Sequence, residues 1–317
     1  SLGLYALYSN TTGNTNTALG QQALQYNTTA SYNTAVGYQA GYSNTTNNGV
    51  TLIGYQAGYS NTTGTSSGGP LTAIGFAAGK YYNATTGDGY GSVFVGYYGG
   101  ASTTTGVHNT YMGGFAAYNN TSGSYNSGIG AGVLYNNSGG SFNTALGNFA
   151  SYSNTTGSYN IAIGAEALRQ NTTASYNTAV GYQAGYSNTT GTQNNYVGRL
   201  AGYTNSTGTF NNSFGESSLY YNTGSCNTAM GGYALLNNTT ASYNTAVGCQ
   251  AAYNNSTGVG ITALGAQALY NNTTGSDNIA IGGYHVASQY GAMYFNTTGS
   301  QNVAIGVGTL VFNTTAS

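Results

Sequence analysis

The chain has 317 residues, of which three are basic and four acidic, whereas an ordinary globular chain is roughly a quarter charged. So few cations leave no electrostatic footprint for DNA or RNA, whose binding rests largely on phosphate neutralisation, and none for an acidic partner or a membrane surface. No apolar run approaches the ~18 residues of a membrane span, which argues against membrane insertion, and no secretory leader is visible.

The chain enters in mid-repeat at Ser1, so a mature or trimmed piece of a longer fibre protein is expected. An anchor glycine stands at Gly3 and returns at Gly20, Gly37, Gly54 and onward to Gly306, giving 18 glycines and 17 intervals, 13 of which are 17 residues long. A short period kept over a whole chain means one supersecondary unit stacked many times. The motif Asn-Thr-Ala-Val-Gly-Tyr-Gln-Ala-Gly-Tyr-Ser-Asn-Thr-Thr reads intact from Asn33 to Thr46 and again from Asn177 to Thr190. The step lengthens near Thr65 to Pro70, near Asp88 to Gly91 and around Gln289 to Phe295. These three places read as loop insertions that keep the register on either side. They are the first places to look for anything beyond scaffolding. One repeat domain over 1–317 is expected.

Positions within a coil are counted from its anchor glycine. Position −1 is apolar in 18 of 18 repeats, so it is expected to face the core. Val36, Ile53, Ile163, Val180, Val247 and Ile281 belong to this expected core ladder. Position +3 is mostly alanine, as at Ala23, Ala40 and Ala184, which implies that another segment passes close. Asparagine recurs at positions −4 and +7, where its tolerance of left-handed backbone and its local hydrogen bonds suit turns. Between the turns lie two pieces of about five residues, too short and glycine-broken for helices but of strand length and composition. The expectation is an all-β fold: a parallel β-roll or β-solenoid of about 18 coils with a 17-residue period, an elongated rod. Equivalent residues would then stand about 4.8 Å apart along the axis. Asparagines could ladder, and the tyrosines at position +5 could stack in a file. Arg199 and Glu216 sit at the same position on consecutive repeats, within salt-bridge reach across one rung.

The chain carries 21 Asn-x-Ser/Thr sequons, 13 of them at position +7: Asn10, Asn27, Asn44, Asn61, Asn120, Asn154, Asn171, Asn188, Asn205, Asn238, Asn255, Asn272 and Asn313. One reading is a row of N-glycans along an exposed edge, which would keep an uncharged, tyrosine-rich surface soluble. The other, preferred, is that Asn-Thr-Thr is good turn chemistry and carries no sugar. Exposed tyrosine and asparagine files could also bind surface glycans, since aromatic faces stack on pyranose rings. Nothing points to catalysis: no Ser-His-Asp spacing recurs, no carboxylates pair around a site, and no Gly-Lys-Ser/Thr follows the glycine-rich stretches. Glu166 and Arg169 share one repeat and read as a solvated pair. Cys226 and Cys249 occupy different positions on adjacent repeats, so no disulfide is implied. His108 and His285 are far apart in repeat count, so no metal site and no cofactor are expected.

The Asn-x-Ala-(Val/Ile/Leu)-Gly-x-x-Ala pattern resembles the head repeats of YadA-like trimeric autotransporter adhesins. It is also similar to Asn-Thr-Ala-Val-Gly arrays of phage and bacterial tail-fibre-like proteins. The resemblance covers essentially the whole chain, although the adhesin repeat is shorter than 17 residues. It implies homotrimers wound side by side and no catalytic residues. The expected function is an extracellular structural fibre or adhesin shaft on a cell or virion surface. Such a shaft would associate with copies of itself, as a homotrimer and by head-to-tail stacking into a filament. The alternative is a receptor- or glycan-binding segment of such a fibre.

Overall fold

A computed structural model describes residues 1–62, 70–84, 91–284 and 290–317. It is all-β among these residues, with seventeen parallel strands and no helix. Contacts divide the chain into two compact units, Ser1–Asn160 and Ile161–Ser317. The first carries strands β1 (Thr17–Leu19) to β8 (Thr144–Leu146) and an isolated parallel bridge, Leu2↔Leu19. The second carries β9 (Ile161–Ile163) to β17 (Val303–Ile305). Within each unit every strand pairs in parallel with the next, so each unit is a β-solenoid with the expected 17-residue period. Strands number 17 rather than about 18 because the first coil contributes only a bridge.

Each coil contributes one strand of three residues, not two of five. The strand spans positions −3 to −1, and equivalent residues align, as in Thr17↔Thr34, Ala18↔Ala35 and Leu19↔Val36. Register survives the lengthened steps: Thr51 pairs with Thr72, Thr72 with Val93 and Ile279 with Val303. The insertions themselves fall largely outside the described residues.

The second expected strand, Tyr-Gln-Ala-Gly-Tyr, is a run of turns. Its backbone is left-handed at positions +2 and +4, as at Gln39 (φ 54°), Gly41 (62°), Glu166 (59°) and Leu168 (49°). A left-handed L-residue costs roughly 1–2 kcal/mol. Inter-coil hydrogen bonds offset this, because the alternating hand sends successive N–H groups in opposite directions. Gln39 N–H donates to Gln21 O of the coil before (3.0 Å), and Gly41 N–H donates to Ala57 O of the coil after (2.9 Å). Side chains give little hint of that alternation, so the strand expectation fails here.

The anchor glycine is required twice over. Gly215 has φ +137°, and a Cβ there would lie 2.6 Å from the Gly231 carbonyl of the next coil. Coils stack closely enough that any side chain at this point would push them apart.

The core is thin and mostly small. Position −2, the middle of every strand, is buried, as are alanines at +3 such as Ala23, Ala40 and Ala184. Position +4 fills what is left, with Leu24, Leu134, Leu168, Leu219, Leu235 and Leu269 fully buried. Where position −2 enlarges, position +4 shrinks. Tyr196 lies beside Gly185 and Gly202, Phe94 beside Gly79 and Gly100, and Leu52 beside Gly41 and Gly58. A Cβ on Gly185 would meet the Tyr196 ring at 2.6 Å. Volume is conserved over a coil and the one before it taken together.

Candidate functional site

The outer face of each unit is where the repeat meets other molecules, and it is not what the hydrophobic pattern implies. In every strand the burial order is outward, buried, outward. Position −1, expected in the core, points out. Ile53, Ile163 and Val247 are exposed, and Val36, Val180 and Ile281 are half-buried. The strand geometry gives the reason. Three residues alternate sides, the flanking −4 and −2 residues must point in, and the interior has room only for alanine at most strands. The result in the first unit is an unbroken aliphatic column through Leu19, Val36, Ile53, Ile74, Val95, Met112, Ile129 and Leu146. Ile129 and Leu146 each keep 45% of their surface exposed. The second unit repeats the column from Ile163 to Ile305.

Position +1 sits beside that column and carries aromatic rings over several coils. Tyr38, Tyr55, Phe76 and Tyr97 stack at 5.4, 4.7 and 5.3 Å between ring centroids. The expected file at position +5 is present: Tyr118, Tyr135 and Tyr152 stack at 5.5 and 5.0 Å, and Tyr186, Tyr203 and Tyr220 at 5.1 and 5.0 Å. A third file at position +12 runs through His108, Tyr125, Phe142 and Tyr159.

The sequon asparagines sit inside. Asn27, Asn44, Asn61, Asn120, Asn154, Asn171, Asn188, Asn205, Asn238, Asn255 and Asn272 are buried, while Asn10 and Asn313, in the terminal coils, are half-buried. Except at Asn61, whose Nδ2 is buried without a partner, their Nδ2, the atom that would carry a glycan, is a hydrogen-bond donor. Asn154 Nδ2 donates to Gly157 O (2.9 Å) and to Asn137 Oδ1 of the preceding coil (2.7 Å). Asn272 does the same toward Gly275 and Asn255. The glycan edge is therefore corrected to an internal amide ladder. The turn reading of Asn-Thr-Thr stands, with its asparagine turned inward. A second ladder runs at position −4: Asn126 Oδ1 accepts from Asn143 N–H (2.9 Å), and Asn126 Nδ2 donates to Gly140 O (2.9 Å). Buried polar groups are normally bonded, and most of these are; Asn44 Oδ1, Asn61 Nδ2 and Asn188 Oδ1 are buried without a partner.

Charge is local. Arg199 donates to Glu216 one rung away, as its position implies, and the Tyr233 hydroxyl donates to the same Glu216 oxygen at 3.0 Å. The bond from Arg199, with help from Tyr233, holds the Glu216 carboxyl below the usual range. Arg169 bridges Glu166 (3.2 Å) and the Tyr186 hydroxyl (3.0 Å), which ties that pair into the tyrosine file. The hydrogen bond from Tyr42 to Tyr26 (3.4 Å) is the largest influence pushing the Tyr42 phenol up to about 12. No group of three or more metal-ligating side chains occurs among the described residues. Among the described residues no helix is long and apolar enough to cross a membrane.

No family profile, curated protein or solved structure matches this chain. Function must therefore be argued from the outward columns themselves. Sequence reasoning missed them because a strictly apolar position normally marks a core. The small size of position −2 in most coils was the available signal: with alanine there alternating with position −1, the inward side of the strand is −2 and the outward side is −1.

Proposed function

We propose that this chain is a shaft segment of an extracellular fibre or adhesin that assembles with copies of itself. The single observation that carries this reading is the outward apolar column, aliphatic at every strand but Phe214 and repeated through both units. Contiguous exposed apolar surface of this extent marks an interaction face. A second copy is the occupant the geometry favours, because it presents the same apolar residue at the same inter-coil spacing, near 4.8 Å. Near-neutrality removes repulsion between copies. A half-exposed aliphatic side chain offers roughly 70 Å², so eight coils offer roughly 550 Å² before the flanking rings are counted, against about 800 Å² per partner in a standard interface. The resemblance to trimeric adhesin heads makes three the expected number of copies. Axial addition of further copies would use the same backbone ladder that joins coils. The absence of any recurrent nucleophile–base arrangement supports a mechanical rather than a catalytic role.

The test is lateral assembly measured on the whole chain. Sedimentation velocity should show oligomers, and replacing Met112, Ile129 and Leu146 together by serine should shift the population toward monomer by at least tenfold in association constant. The far-ultraviolet circular dichroism should not change, since none of the three is in the core. Wild-type protein that stays monomeric at tens of micromolar would sink the reading.

A further inference from the structure

Position +2 of the first unit is glutamine or alanine at Gln22, Gln39, Gln56 and Ala77, but carries rings at Tyr98, Phe115 and Phe149 with Gly132 between the last two. At position +2, Tyr98 and Phe115 stack with centroids 5.8 Å apart and planes 10° from parallel. The next coil has Gly132 at that position, and the one after has Phe149. A ring is therefore missing between two rings. The gap is a cavity of about 220 Å³ lined by Gly114, Phe115, Ala131, Gly132, Phe149 and the tyrosines Tyr135 and Tyr152. Phe149 leans over it: a Cβ on Gly132 would lie 2.7 Å from the Phe149 ring. The back wall is the stacked pair Tyr135 and Tyr152, 5.0 Å apart. Phe115 adjoins that pair, tilted 52° to Tyr135 with ring centroids 6.3 Å apart.

We infer that this slot binds the single ring of a neutral sugar, a hexopyranose whose C–H face lies against the aromatic walls. Three features select that chemistry. The volume falls below the ~300 Å³ at which drug-sized ligand pockets begin, so one ring enters rather than a chain. No Lys, Arg, Asp or Glu occurs from residue 89 to residue 165, so a charged ligand has nothing to pair with. Nucleic-acid bases also stack on such platforms, but their phosphates need cations that are absent here. The lining supplies what a sugar needs beside its apolar face, the phenolic groups of Tyr135 and Tyr152. Hydroxyls around a ring with an apolar face match that lining better than a bare aromatic ring does.

A larger groove of about 710 Å³ in the second unit, lined by Asn254, Asn271, Thr273, Phe295, Thr297 and Phe312, lacks this character. Its polar groups already serve the coil-to-coil ladder: Asn254 donates to Asn271 (3.1 Å) and Thr273 to Thr297 O (3.0 Å). The slot at Gly132 shares no residue with the outward aliphatic column, so ligand binding and assembly can fail separately.

Saturation-transfer NMR on the whole chain with methyl β-D-glucopyranoside, and with 4-methylphenol as the aromatic control, tests the inference. Two variants locate the site. Gly132→Phe fills the slot: the left-handed backbone there is one that Phe115 (φ 56°) and Phe149 (φ 55°) also hold, and the Phe149 ring, 2.7 Å from a Cβ at this point, must swing aside. Phe115→Ala removes an exposed wall and leaves the core alone. The expected result is transfer to the sugar C–H protons with wild-type protein and at least a tenfold loss in both variants. Equal transfer in wild type and variants, transfer to 4-methylphenol alone, or no transfer to either probe would each overturn it. Sedimentation of the same samples reads assembly independently.

Discussion

The inside and the outside of a coil have exchanged their usual chemistry. Asn120, Asn137 and Asn154 are fully or almost fully buried, while Met112, Ile129 and Leu146 of the same stretch are exposed. Within a single coil an amide is the interior group and an aliphatic chain the exterior one. Stacking makes this possible. A lone buried amide is a liability, but one repeated at every rung finds its partner in the coil above and the coil below. The exterior aliphatics have no such internal partner and remain available to another molecule. What a 17-residue coil cannot hold inside, it offers outside.

Making the interior more hydrophobic should therefore weaken it. Asn137 donates to Asn120 Oδ1 (3.0 Å) and Gly140 O (2.9 Å), and accepts from Asn154 (2.7 Å). Asn137→Leu leaves all three partners buried and deprived of that bond. Gly140 O keeps its bond from Asn126 and Asn154 keeps its bond to Gly157 O, so Asn120 Oδ1 is the group orphaned, at a cost of about 1–3 kcal/mol. Thermal unfolding of the non-assembling serine triple variant, with and without Asn137→Leu, reads this without interference from association. An unchanged melting temperature would break the contrast between the two faces.

Alkali probes the interior less severely. Burial raises the Tyr111 and Tyr196 phenols, although the Asn205 amide bonded to the Tyr196 hydroxyl pulls the other way. For an acid whose folded value is raised, stability is intact below the unfolded value near 10 and falls as pH rises from there toward the folded value. Each such tyrosine removes about 1.4 kcal/mol per pH unit in that window. Phenolate absorbance should show the outer tyrosine files ionising before these two, with the last fraction appearing only as the fold is lost. A single step for all 33 tyrosines, with the fold intact, would show that the two rings are not sealed inside.

Much of this was legible in the sequence, and the failures share one cause. The period fixes the coil, the glycine its close stacking, and Asn126 and Tyr135 their ladders, because each is a same-position, one-rung relation. What failed concerns direction within the coil. Val36 and Ile163 face out and Asn27 and Asn188 face in, the reverse of what apolar and polar labels suggest. Hydropathy assumes that residues compete for a roomy interior, whereas here the room is set by coil circumference. The gap at Gly132 was visible only as one glycine among 52. Its meaning needed the rings of the neighbouring coils. The same is true of Gly185 and Gly202, whose absent side chains make space for Tyr196.

The smallest effect belongs to the charges, and its size is itself informative. Arg199, Glu216 and Tyr233 form a bonded set across consecutive rungs, but all three lie on the outer surface, where exposed ion pairs contribute little. The lowered carboxyl of Glu216 means that its contribution is present above the usual carboxylate range and fades as pH falls through the folded value. Glu216→Gln should flatten that acid limb while leaving the melting temperature at pH 7 within error, and added salt should mimic it. Circular dichroism melts between pH 3 and pH 7 would measure both arms. A large loss at neutral pH would mean that the pair is covered rather than open to solvent. The nearest cover is the outward apolar column at Val197 and Phe214, two residues before each member of the pair. Such a loss would then point to assembly reaching across the rim of that column.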